Sequence, residues 1–218
     1  MLKHHADKGV FIRSMASRNA SGGLSLATSE AADVLDAHGF DVIIFETLGV
    51  GQVEIDVINE TDSVVVVLVP ESGDDIQMMK SGLIEIANLY VVNKSDRQGA
   101  NRLVTTLKNM LDTNPSLDKK TWEIPVLMTN SISGDGVGKL IEAVDSHFEY
   151  LNKEGGLAEK VNDRYQRQVK SIVLNRYENY LWKDESKNSQ LEKEISKRIN
   201  KRLSPNQLAD LILENEEY

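Results

Sequence analysis

Residues 89–96 read LYVVNKSD. The apolar run Leu89–Val92 ends abruptly in Asn93-Lys94-Ser95-Asp96, the pattern of a buried strand that stops at the mouth of a pocket. Other runs of the same kind lie on either side: Gly9–Ile12 (GVFI), Phe40–Phe45 (FDVIIF), Ser63–Val69 (SVVVVLV) and the weaker Ile124–Met128 (IPVLM). None alternates apolar with polar residues, so each predicts a strand covered on both faces, as in a parallel sheet. Helical patterns fall between and after them at Leu26–His38, Asp74–Asn88, Arg102–Asp112 and Val137–Leu151, the first ending at Gly39, a natural C-cap. Strand–helix alternation predicts an α/β, doubly wound, mostly parallel sheet over residues 1–152. Ligands of such folds sit at the carboxyl ends of the strands. The polar clusters after Phe45, Val69 and Val92 fall there.

The last third reads differently. Val161, Tyr165, Val169, Ile172, Leu174, Tyr177, Tyr180 and Leu181 recur at helical spacing, a second helix carries Leu191, Ile195 and Ile199, and Ser204-Pro205 opens a third. Residues 153–218 are therefore expected to form an all-helical extension, either folded against the body or serving as a dimerisation or partner arm. Charge follows the same division. Residues 151–218 hold 13 Lys/Arg and 12 Asp/Glu, so residues 1–150, with 12 and 22, carry all of the acidic excess behind the formal charge of −9. An acidic body argues against nonspecific nucleic-acid binding, which needs a basic face. The chain has no cysteine, hence no disulfide, thiolate nucleophile or Cys metal site, which fits the cytoplasm. The longest apolar stretch, Val64–Val69, is far too short to span a bilayer, and MLKHHADKG lacks the apolar core of a signal peptide. The histidines show no metal-ligand spacing with acids.

Asn93-Lys94-x-Asp96 after a buried strand matches the chemistry of a guanine-reading loop. Guanine offers two donors on one edge, N1–H and the exocyclic amino group, and one carboxylate, Asp96, accepts both in a fork. Adenine presents an acceptor at N1 and no amino donor, leaving Asp96 unpaired, so a site built this way rejects it strongly. The Asn93 amide can bond to the base and to neighbouring loops, and the Lys94 stem can lie over the ring. The stretch Glu46-Thr47-Leu48-Gly49-Val50-Gly51-Gln52 reads as the phosphate side. Glu46 is placed to hold a Mg²⁺-bound water, since Mg²⁺ takes oxygen ligands and keeps part of its hydration shell. Gly49 would let a backbone N–H approach a γ-phosphate, and Gln52 lies near enough to orient water or report to a partner. After the weakest strand, Ser131 is the candidate to offer a backbone N–H to guanine O6.

Taken in order, FIRSMASR…GGL…VLDAHGFDVIIFETLGVGQVEIDV…VVVVLVP…GDDIQMMKSGLIEIA…VVNKSD, together with the ending RLSPNQLADLIL, resembles the methylmalonyl-CoA mutase-associated GTPases of the MeaB/ArgK family. The resemblance runs along essentially the whole chain. It implies a P-loop GTPase fold that binds GTP and GDP with Mg²⁺, and a chaperone that gates adenosylcobalamin loading onto methylmalonyl-CoA mutase, or a related acyl-CoA mutase, and protects that enzyme. It implies a homodimer formed through the C-terminal helices, a switch at Ser72–Lys80 facing the mutase, and Lys80 approaching the nucleotide phosphates. An older label for the family is a kinase of the lysine/arginine/ornithine transport system.

The sequence also departs from that family. No G-x-x-x-x-G-K-[ST] occurs, and the family's P-loop precedes the segment matching FIRSMASR. The expectation is an N-terminally truncated member that keeps the base-reading half of the site and hydrolyses little or no GTP as it stands, because P-loop contacts supply most phosphate recognition. A non-catalytic mutase-binding or dimerisation fragment is the alternative. Asn130 also stands where the family usually has Ser, a milder change.

Overall fold

The computed structural model describes residue 4 and residues 7–15, 26–47, 58–70, 86–113 and 122–213. Its sheet is built around the strand read first from the sequence. Three parallel strands, β1 (Val65–Leu68), β2 (Leu89–Val92) and β3 (Val126–Met128), lie in the order β1-β2-β3. The central strand explains the unbroken apolar run: all four residues of β2 are buried, because neighbours cover both edges and layers cover both faces.

Tyr90 and Val92 share a face with Leu68, Ala100 and Leu107, and this is the main core cluster. Helix α2 (Ala100–Thr113) follows β2 and supplies Ala100, Leu103, Val104, Leu107, Met110 and Leu111 at the i, i+3, i+4, i+7 spacing that lays one apolar stripe on the sheet. The alternation of a strand leaves Leu89 and Val91 for the opposite face, and α3 (Val137–Lys153) packs against β2. Helices on both faces make this part of the chain an α/β, doubly wound parallel sheet. Full burial of a leucine such as Leu107 is worth about 2 kcal/mol. Burial pushes the Tyr90 phenol up to about 12, so it stays neutral.

Helix α1 (Leu26–His38) has the bounds its periodicity predicts. Gly39 takes a left-handed φ of 94°, and the amides of Gly39 and Phe40 donate to the carbonyls of Asp36 and Leu35, which closes the helix in a Schellman turn. The runs GVFI and FDVIIF are a correction to the sequence reading: neither is a strand. Both are irregular, with Val42 72% and Ile44 84% exposed. An apolar run records what a segment can bury, whereas a strand exists only where a neighbour supplies a ladder, and among the described residues neither run has one. The predicted helix Asp74–Asn88 lies outside the described residues except for residues 86–88, which form a turn.

The entry to β1 is fastened from several directions. Lys160 Nζ donates to the carbonyls of Thr61 (3.3 Å) and Asp62 (3.1 Å), and Arg164 donates to the Glu60 carbonyl (2.9 Å) and to Asp62 Oδ1 (3.2 Å). His147, buried on α3, meets Ser63 Oγ through Nδ1 at 2.7 Å and packs edge-on against Trp122, whose Nε1 donates to the Asn88 carbonyl. Asn88 Oδ1 in turn accepts from the Val64 amide. The histidine that looked unremarkable in sequence is a satisfied core residue.

The chain divides into two compact units, Met1–Arg164 and Tyr165–Tyr218, and the boundary falls inside the 28-residue helix α4 (Gly156–Lys183). The second unit continues with α5 (Glu185–Ser196), a 3₁₀ turn (Ile199–Lys201) and α6 (Pro205–Leu213). Asp184 caps α5 by accepting from the Ser186 amide. Ser204 and Gln207 form a reciprocal capping box on α6, each side chain accepting from the other's amide. Glu194, nearly buried, holds the turn between them by accepting from the Leu203 amide and Lys197 Nζ. Along α4, Tyr165, Val169, Val173, Tyr177 and Tyr180 are exposed. No described helix is long and apolar enough to cross a membrane.

Burial first, and then the charge of Lys160, bring the His147 imidazole down to about 4 from its ordinary 6.5, against the opposing pull of Asp62. The folded chain therefore keeps it neutral while the unfolded chain protonates it. Its contribution to stability is complete above pH 6.5 and is lost as pH falls toward 4. His147→Gln should lose less stability than wild type across that window in urea unfolding at stepped pH. Equal losses would refute the assignment.

Candidate functional site

Two loops leave the carboxyl ends of β2 and β3 side by side. The register that pairs Val92 with Met128 brings out Asn93 next to Thr129. Asn93 donates its backbone N–H to the Leu68 carbonyl, and Thr129 donates its own to Val92 (2.9 Å), so each loop is anchored on the neighbouring strand. Lys94 then takes a left-handed φ of 55°. A non-glycine residue there costs about 1–2 kcal/mol and persists only where the surroundings hold it. Here the turn lets the Ser95 amide reach the Thr129 carbonyl at 3.0 Å and delivers Asp96 beside the second loop.

Side chains tie the loops together. Asn93 Oδ1 accepts from Ser131 Oγ (2.8 Å), the Ser131 amide (3.2 Å) and Thr129 Oγ1 (3.2 Å). A backbone N–H can only donate, so the atom it meets must be the amide oxygen. That assignment leaves Asn93 Nδ2 with no bond among the described residues, available to an acceptor such as a purine N7. Asp96 Oδ1 accepts from Asn130 Nδ2 at 3.1 Å, its Oδ2 lies 3.7 Å from Arg97 Nε, and the side chain is 56% exposed.

The second loop is closed on itself. Asn130 bridges Asp135 through the backbone, and its Oδ1 accepts from the amides of Ile132 (3.0 Å) and Ser133 (3.4 Å). Ser133 Oγ donates to Asp135 Oδ2 at 2.6 Å. Gly136 starts α3 at φ 78°, and a Cβ there would run into the Met128 carbonyl, so only glycine fits where the loop passes the end of β3.

Four of the residues proposed from sequence thus come together: Asn93, Lys94, Asp96 and Ser131. Ser131 differs in detail from its predicted role, because its amide is directed at Asn93 Oδ1 and would have to be shared with, or handed over to, guanine O6. Glu46 is exposed in an irregular segment, a correction to its placement at the end of a buried strand. Gly49, Gln52 and Lys80 lie outside the described residues, as does the whole of the proposed switch Ser72–Lys80, and no cluster of three or more His, Asp or Glu able to hold a metal occurs among the described ones. Sequence reasoning gave neither Thr129 nor Asn130 a role in the site. The signal for Asn130 was present as a departure from the family's Ser.

The family pattern described as methylmalonyl Co-A mutase-associated GTPase MeaB matches residues 1–186. The chain belongs to the MeaB family. Its similarity to individual members is consistent with this. A Pyrococcus horikoshii protein whose name proposes a GTPase is 44% identical over 98% of this chain and 67% of its own length. GTPase ArgK of Escherichia coli is 30% identical over 69% of this chain and 46% of its own length. The mouse methylmalonic aciduria type A homolog, a mitochondrial protein, is 27% identical over 98% of this chain and 52% of its own length. Among solved structures, the LAO/AO transport system kinase superposes with a TM-score of 0.61 at 22% identity, covering 85% of this chain and 60% of that one, and supports the fold alone. The chain spans about half to two thirds of the length of these relatives.

The two loop glycines separate conformational cost from steric cost. Gly134, at φ 84°, has open space around it, whereas Gly136 has both a positive φ and a blocked Cβ direction. Gly134→Ala should cost about 1–2 kcal/mol of stability. Gly136→Ala should cost clearly more in the same chemical denaturation series, and equal losses would show that the contact with Met128 is relieved elsewhere.

Proposed function

We propose that this member of the MeaB family binds GTP and GDP, reading the base with Asn93, Lys94, Asp96 and Ser131. The observation that carries this is the tie between the loops after β2 and β3. It sets the half-exposed Asp96 carboxylate and Asn93 Nδ2, both on the loop after β2, beside Ser131 on the loop after β3. Asp96 would accept guanine N1–H and the exocyclic amino group, Asn93 Nδ2 would donate to N7, and the Ser131 amide would turn to O6. These residues fit the base of a guanine nucleotide.

The phosphate end of the reading rests on sequence. Glu46 would act on Mg²⁺ through a water, Gly49 and Gln52 would follow the γ-phosphate, and Lys80 would approach the phosphates. Mg²⁺, when bound, neutralises phosphate charge. GTP hydrolysis, and a chaperone role that gates adenosylcobalamin loading onto methylmalonyl-CoA mutase or a related acyl-CoA mutase, are proposed for the protein on its family membership. The exposed tyrosines and valines along α4 support an arm that meets a partner, a second copy of the chain being the occupant we favour. The cysteine-free composition is the ground for placing the protein in the cytoplasm.

Base choice tests the site. Calorimetric titration should show GDP bound at least about tenfold more tightly than ADP, and Asp96→Asn should erase that preference and favour XDP, whose 2-oxo group suits an amide donor. Unchanged selectivity in Asp96→Asn would remove that carboxylate from the proposal. A pull-down with an adenosylcobalamin-dependent acyl-CoA mutase, with and without GTP, tests the partner, and no capture in either state counts against it.

A further inference from the structure

The first turns of α4 are held by polar contacts and not by a core. Of residues 156–164 none is buried: Leu157 is half-buried and Val161 is 46% exposed. The grip comes from two cations one helical turn apart. Lys160 Nζ donates to the carbonyls of Thr61 and Asp62, while Arg164 donates to the Glu60 carbonyl through Nη1 and to Asp62 Oδ1 through Nη2. Three successive carbonyls and a carboxylate are thus caught from one helix face. The Arg164 and Asp62 side chains are 22% and 36% exposed, so water competes for these bonds at their edge. The junction with α3 is free to turn. The Glu154 amide closes α3 by donating to Tyr150, and the Glu159 amide opens α4 by donating to Gly155. Gly155 between them sits at φ 78°, with no atom within 4 Å of where a Cβ would stand. A glycine in open space at a helix junction is where a helix pair can hinge. The gripped residues run directly into β1 and follow Glu46–Gln52, read above as the phosphate side. A backbone change upstream that rotates those peptide groups takes the acceptors from both cations at once.

We propose that Lys160 and Arg164 form a releasable latch. While residues 60–62 keep this backbone, the latch holds the first turns of α4; when the phosphate-side stretch rearranges, it lets go and α4 turns at Gly155. The trigger, a guanine nucleotide, rests on the reading above, whereas the latch and the hinge rest on the contacts alone.

The chain has no cysteine, so a pair can be introduced for spin labels at exposed positions, Ser146→Cys on α3 and Asn162→Cys on α4. Distances from pulsed electron paramagnetic resonance should form one narrow distribution in this labelled chain. Lys160→Met combined with Arg164→Met keeps the apolar stems and removes the donors, and should widen the distribution about twofold or add a second distance. Lys170→Met, which removes an α4 cation outside the latch, should leave it narrow. Arg164→Lys, which keeps a cation but loses the two-armed fork, should fall between, and decides the matter if the double variant does not fold. Saturating GDP and GMPPNP should give different distributions in the labelled chain and the same one in the double variant. By linkage, the double variant should also change the ratio of the two affinities about fivefold or more. Distributions as narrow in the double variant and in Arg164→Lys as in the parent, or equal widening in Lys170→Met, overturn the latch. Widening with no difference between GDP and GMPPNP, in a chain that binds both, overturns the trigger and leaves guanine binding in place. A chain that binds neither nucleotide removes the guanine reading and the trigger together, and the latch then stands or falls on the double variant.

Discussion

The parallel pairing of β2 with β3 is the constraint on which the candidate site depends. Because Val92 faces Met128 across the ladder, the first residue beyond each strand emerges at the same level, and Asn93 stands next to Thr129. A slip of one residue would turn the faces of β2 over and move its polar exit out of step with Thr129. The core that prevents a slip is the one formed by Tyr90, Val92 and the stripe of α2. Packing beneath the sheet therefore fixes which polar atoms can meet above it. The loop bonds among Asn93, Asp96, Asn130 and Ser131 are consequences of a register decided by apolar burial.

Much of this was legible in the sequence where the signal is local. The bounds of α1 follow from its periodicity and Gly39, β2 coincides with LYVV, and the capping box of α6 is written in Ser204-Pro205-Asn206-Gln207. The failures share one cause. GVFI and FDVIIF have the composition of β2, but composition describes what a segment can bury, and pairing is a property of two segments at once. The bonding partners were similarly out of reach. Nothing in the letters N, K, S, D says that the Ser131 amide will turn to Asn93, because that depends on where β3 ends. Asn130 could be noticed only as unusual, and its bonds to Asp96 and to its own loop gave the anomaly a physical content.

The same dependence on context holds at the entry to β1. The carbonyls of Glu60, Thr61 and Asp62 accept from Lys160 and Arg164, on the first turns of α4. A hydrogen bond from a charged donor to a backbone carbonyl is roughly twice as strong as a neutral one, so these bonds fasten the chain where it enters β1. His147 shows the opposite solution nearby. It is kept uncharged, with Ser63 meeting its polar edge and Trp122 its ring, because the interior offers it no counter-charge close enough to offset desolvation. Cations at the rim and a neutral imidazole inside follow from one rule about where water can reach.

Selectivity at the exposed end of the sheet follows from that rule as well. A carboxylate in water gains little from any one hydrogen bond, since solvent already satisfies it. It discriminates only when the ligand itself excludes water, so that a base lacking the right donors leaves the charge desolvated and unpaired. The decisive quantity is then the geometry of the carboxylate at the moment water leaves, and loops that are already cross-tied need less ordering when that happens. The left-handed turn at Lys94 and the absence of room for any side chain at Gly136 are costs incurred in the free chain. They hold the two loops in one arrangement before a ligand arrives, which moves the ordering cost from binding to folding.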